Sequence, residues 1–169
     1  LAGGVWDTPV ESTQADPFLA MLTQEAFTAG GRVWVQRPDG VTVGFTLRLD
    51  PVLAFVPFVR KVRFEPDAPF TDELIPDDVT TVFDYGTGPL YNYILPYNPQ
   101  SWTLRTSEGV TWHLTEGEGV TRAEDAFGHT LTLTRDGVVH STGVELRFER
   151  DALGRIVRVI EPDDPADGH

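Results

Sequence analysis

Cysteine is missing from this chain, methionine occurs once, and lysine occurs once, at position 61. Without cysteine there is no disulfide framework, no zinc–thiolate site and no thiol nucleophile. Basic residues number 13 against 26 acidic ones, giving a formal net charge of −13 and a pI near 4.5. That balance makes nucleic acid and anionic membrane poor partners. No apolar run reaches the roughly 20 residues of a membrane-spanning helix; the longest, residues 52–59, is interrupted by Pro57. There is no Gly-x-Ser-x-Gly elbow, no phosphate-binding glycine loop and no His-x-x-x-His pair. Proline is absent between Pro99 and Pro162, whereas eight of the 13 prolines fall in residues 51–99.

What is present is β grammar. Val33 and Val35 alternate with Trp34 and Gln36. Pro38-Asp39-Gly40 makes a turn, and Val41, Val43, Phe45, Leu47 and Leu49 return along one face. The phrase recurs from Trp102 to Leu114 around Glu108-Gly109, and again from Leu131 to Val139 around Asp136-Gly137. Acidic–Gly pairs between alternating runs are a strong hairpin signal. Residues 59–64 and 79–85 read as further strands, 70–78 as a long loop, and 86–98 as an aromatic-rich connection. Asp16-Pro17 could start a short helix carrying Phe18, Leu19, Met21, Leu22 and Ala26, or the same residues could form an irregular plug. The expected fold is mainly β, with successive antiparallel hairpins forming a sheet and at most one short helix near the N-terminus. The expected division is an arm over 1–15, a β-rich front domain with Pro-rich loops over 16–98, and a hairpin segment over 99–169.

Within the back segment the chain repeats itself. Asp125-Ala126-Phe127-Gly128-His129-Thr130-Leu131 returns 26 residues later as Asp151-Ala152-Leu153-Gly154-Arg155-Ile156-Val157. Each copy is an acid, a tight turn ending on Gly, and a strand. The second copy, from Phe148 through Asp151, Gly154, Arg155 and Ile156 to Pro162-Asp163, resembles the YD repeat of the rearrangement-hotspot (Rhs) family. That repeat runs approximately aromatic-x-Tyr-Asp-x-x-Gly-Arg-Leu-x-x-Val-x-Asp-Pro. Arg150 stands where the family has Tyr, and Glu161 where it usually has Asp. In the first copy Glu124 and His129 replace the Tyr and the Arg. A weaker likeness extends to Tyr97-Asn98-Pro99 leading into Trp102 and to residues 136–141. The resemblance implies a long β-sheet spiralled into a shell that encloses a toxin or presents an adhesive surface. It also implies a secreted or cell-surface bacterial protein, whose neighbouring repeats or domains would be this segment's partners. With the repeat still running at Pro162, a piece of a longer polypeptide is expected.

Candidate chemistry is sparse. His113, His129, His140 and His169 are scattered, and Glu108, Glu116, Glu118, Glu124 and Asp125 lie at turns, where acids are simply solvated. A glycosidase would need two carboxylates placed across one sugar bond. Asp72-Glu73, Asp77-Asp78 and the acidic tail from Asp163 offer oxygen ligands without calcium-loop spacing. No catalytic residue, metal or cofactor is therefore assigned. Tyr85, Tyr91, Tyr93, Tyr97 and Trp102 cluster with Asn92 and Asn98. They suit either a core under a loop or a glycan- or protein-binding surface made by Tyr91, Tyr93, Tyr97 and Trp102. Function is expected to be structural, with a binding domain as the alternative and a glycoside-acting enzyme as a remoter one.

Overall fold

The computed structural model describes residues 26–37 and 39–161. Most of the suggested helix, residues 16–25, lies outside the described residues. Those that are described form strands, bridges and turns, with no helix among them. All strand pairings are antiparallel, as expected from the succession of hairpins.

The front half holds β1 (Arg32–Gln36), β2 (Thr42–Pro51), β3 (Val59–Pro66), β4 (Glu73–Pro76), β5 (Thr81–Asp84), β6 (Leu90–Asn92) and β7 (Leu95–Pro96). The back half holds β8 (Ser101–Arg105), β9 (Thr111–Thr115), β10 (Gly119–Glu124), β11 (Thr130–Leu133), β12 (Gly137–His140), β13 (Glu145–Arg150) and β14 (Ile156–Ile160). From β8 to β14 every strand pairs with the next in sequence. Within the front half, β3 is the junction. One of its edges takes β2; the other takes β5 at its start and β4 at its end. The next link, β4 to β8, carries the sheet across the proposed division at residues 98–99.

β4 corrects the reading of residues 70–78 as a loop. Two flanking prolines and four acids hide a four-residue alternation in which Leu74 and Pro76 are buried and Glu73 is exposed. Pairing to β8 supplies what local propensity lacks. Likewise β6 and β7 are short strands inside the stretch expected to be only a connection.

The core is Val33, Val35, Val43, Phe45, Leu47, Val62, Phe64, Leu74, Val82, Leu90, Tyr97, Trp102 and Leu104. Phe27 packs into it as a plug. Its N–H donates to Tyr97 O at 2.8 Å, its carbonyl accepts from Leu90 N–H at 2.8 Å, and its ring meets Phe64, Tyr97 and Trp102 edge-on at 6.0–6.2 Å. Trp102 meets Phe64 edge-to-face at 4.9 Å, the geometry that aromatic quadrupoles favour. A buried ion pair ties three loops beside this core. The Asp72 carboxylate, 1% exposed, accepts from Arg37 at 3.2 Å and from Ser107 N–H at 3.2 Å, and Arg37 also reaches Glu108 at 3.2 Å. Gly44 is required by close approach: a Cβ there would sit 2.7 Å from the Trp34 ring, over which the Arg32 guanidinium lies at 4.4 Å.

Candidate functional site

Register decides which side chains share a face, because directly paired residues point the same way. One row runs Leu47, Phe64, Leu74, Leu104, Trp112, Ala123, Leu131, His140 across eight strands from β2 to β12. A second runs Pro76, Trp102, Leu114, Val120; a third runs Leu133, Val138, Leu146. Phe148 and Val159 pair on the same side, since Phe148 follows Leu146 by two along β13. The apolar face of the core thus continues without interruption onto the back ribbon. Its cover does not. Leu104 is 1% exposed and Ala123 6%, but Leu131 is 40%, Leu146 36% and Val159 51% exposed.

The other face is polar over the same strands, with Thr103, His113, Arg122, Thr132, Val139 and Glu145 in one row. Arg122–Glu124 and Arg105–Glu73 ion pairs lie on the ribbon's surface. So the ribbon is one layer thick, greasy on one side and wet on the other.

Its turns share one construction. At 37–41, 106–110, 125–129, 140–144 and 151–155 the first residue's N–H donates to the carbonyl of the fifth. The fourth, always Gly at a φ between 78° and 90°, donates to the carbonyl of the first. This is the three-residue hairpin loop with Gly in the left-handed position. The two repeat copies match in their side chains as well. Asp125 Oδ1 accepts from the N–H groups of Phe127 and His129 at 2.8 and 2.9 Å, and Asp151 Oδ1 from Leu153 and Arg155 at 2.9 and 3.0 Å. The second oxygen takes His129 Nδ1 at 2.9 Å in one copy and Arg155 Nε at 2.7 Å in the other. These side-chain hydrogen bonds, foremost the one from His129 or Arg155, hold both carboxyls below the usual aspartate value. The repeat Asp is therefore a cap that closes its own turn. Asp136-Gly137, read as a further copy, is different: Gly137 opens β12 and is buried, where a Cβ would run into the backbone of Leu146.

The remaining motif residues divide by face. Leu131 and Phe148 belong to the apolar side; Ile156 is half-buried in β14 beside Arg150. β14 pairs only with β13, so its outer edge meets no strand among the described residues.

The aromatic cluster does not hold together as a surface. Trp102 is 0% and Tyr97 2% exposed, both in the core; burial, reinforced by Asp78, pushes the Tyr97 hydroxyl's pKa up. Of the four residues of the expected binding surface, only Tyr91 and Tyr93 retain access. Beside them Phe58 and Tyr85 are exposed, with Phe83 and Tyr91 half-buried between Phe58, Tyr85 and Tyr93. Phe83 and Tyr85, spaced by two in a strand-like run, carried that signal in the sequence. The hollow beside Tyr97, lined by Asp78, Asn92, Pro96 and Asn98, has a volume of about 100 Å³, room for water but small for a ligand pocket.

Carboxylates proposed as possible ligands are already engaged or turned apart: Asp72 faces inward to Arg37 while Glu73 pairs outward with Arg105. Among the described residues no group of three His, Asp or Glu side chains could hold a metal ion. No protein-family model, curated protein or solved structure matches the chain.

Proposed function

We propose that this chain is a non-catalytic β-scaffold segment of the Rhs/YD-repeat kind, whose back ribbon is completed by further β structure along the β14 edge and over its apolar face. The observation that carries the reading is the continuous row from Leu47 to His140, buried at one end and left part-exposed at the other, where Leu131 is 40% exposed and His140 half-buried. A hairpin ribbon of one layer cannot bury its own apolar side, and stacked repeat units share that burden with their neighbours. The twin Asp-capped turns support a repeating unit. A secreted or cell-surface setting accompanies this reading.

The test is a chain in which a second copy of residues 137–161 is spliced in after Glu161. Hydrogen exchange should show the amides of β14 becoming protected when the extra hairpin is present. Unchanged exchange at β14 would sink the scaffold reading.

A further inference from the structure

A second apolar surface lies in the front half and owes nothing to the repeats. Residues 52–58 read Val-Leu-Ala-Phe-Val-Pro-Phe, seven residues without a charge, of which only Val56 is not exposed. Phe55 at its tip is 82% exposed. Beside the loop, Phe58, Phe83 and Tyr85 lie with planes within 20° of parallel and centroids 6.1–6.3 Å apart. Tyr91 leans on Tyr85 at 5.9 Å, and Tyr93 on Phe83 at 5.7 Å. Phe83 pairs with Val59 and with Tyr91, alternating with buried Val82 and Leu90, so the rings occupy the face turned away from the core. Lys61 shares that face, being paired with Thr81 and Asp50.

The hairpin between β6 and β7 turns through Tyr93-Ile94 alone. Tyr93 has a φ of 56°, a left-handed conformation that favours Gly or Asn and strains a bulky residue. Yet the two turn positions carry large apolar side chains, 73% and 87% exposed. The fold thus spends backbone strain to hold an apolar tip in water, beside an uncharged loop that does the same. Contiguous exposure of this kind marks a protein or membrane contact.

We propose that this surface docks on a zwitterionic phospholipid bilayer, with Phe55 and Ile94 entering the acyl boundary and Tyr85 and Tyr93 lying at headgroup level. Separate protruding tips need a soft apolar phase and no shaped pocket. Tyrosine, apolar in the ring and polar at the hydroxyl, suits the boundary itself. Residues 51–64 contain Arg60, Lys61 and Arg63 and no acid, and Lys61 on this face can meet a headgroup phosphate. The rest of the chain is strongly acidic, which selects a neutral surface over an anionic one. Among the described residues no helix is long and apolar enough to cross a membrane.

Co-sedimentation with phosphatidylcholine vesicles tests this. The intact chain should pellet with them, and the double variant Phe55→Asp/Ile94→Asp should bind at least about tenfold more weakly, a loss of about 1.4 kcal/mol or more, since both apolar side chains would leave the acyl boundary. Both positions lie in solvent, so the variant should keep the parent's urea midpoint. Failure of the intact chain to pellet, or equal binding by the variant, overturns the proposal. A concentration-dependent dimer that the same variant abolishes, without vesicle binding, would also overturn it and assign the surface to a protein contact.

Discussion

The front and back halves of this molecule carry the same apolar row, yet the core ends at β8, the first strand of the back half, with Trp112 and Leu114 of β9 packed against it. From Leu47 to Leu104 the row is almost inaccessible, because Phe27 and the strands around β3 close over it. From Leu131 onward side chains of the same kind, in the same register, are half-buried, as at Leu133, Val138 and Phe148, or exposed, as at Leu131, Leu146 and Val159. Strand pairing is therefore a property of the whole sheet, while burial belongs to the part with something laid on it. An alternating pattern specifies a face; it does not specify the cover.

Two truncations should expose that difference most sharply. Trp102→Ala removes a ring with no solvent exposure that packs on Phe64 and Phe27, and should cost about 3–5 kcal/mol. Leu146→Ala, on the same face of β13, should cost under about 1 kcal/mol because the side chain is 36% exposed and has little burial to lose. Urea denaturation of both variants reads the contrast. Equal losses would mean that the ribbon is covered after all.

An intermediate effect is expected at the turns, where the halves are alike. Gly154, at a φ of 78°, has nothing within 4 Å of where an alanine methyl would stand, so Gly154→Ala meets no clash and isolates backbone strain. A loss of about 1 kcal/mol is expected. Gly40→Ala, equally unobstructed at a φ of 85°, should match it despite lying beside the covered core. Thermal melts of the pair check this; a several-fold difference would show that the shared turn geometry is not what those glycines serve.

Much of this could be read from residues. The hairpins around Gly40 and Gly109, and the Asp125 and Asp151 repeats, were legible because turn chemistry is local and recurs. The turn at 140–144 was not, since Ser141-Thr142-Gly143 lacks an acid. What the five turns share is Gly in fourth place, with a side-chain acceptor in first place at Thr106, Asp125, His140 and Asp151. β4 escaped because its four residues become a strand only by pairing with β8 and, at Leu74, with β3. The aromatic group stayed open between core and surface because ring identity says nothing of side: Trp102 and Tyr97 face inward, while Phe58 and Tyr85 face out.

The smallest effect should come from acid, and it sharpens the comparison by touching only the repeat turns. Asp125 and Asp151 are both exposed enough to be well screened, and both titrate below the usual aspartate value because the folded turn donates hydrogen bonds to the ionised form. A depressed folded pKa means that the unfolded chain takes up the proton first, near pH ~3.9. The contribution is therefore complete above that value and disappears as pH falls through the lower, folded one. Amides of Leu153 and Arg155, which donate to Asp151, should lose protection, measured against the intrinsic exchange rate at each pH, in that acid window while the amides of β2 and β3 stay protected. Asp151→Asn should flatten the response at its own turn and leave the Asp125 turn unchanged. If the two turns loosened together, their caps would not be independent units, and the repeat would be a likeness of sequence alone.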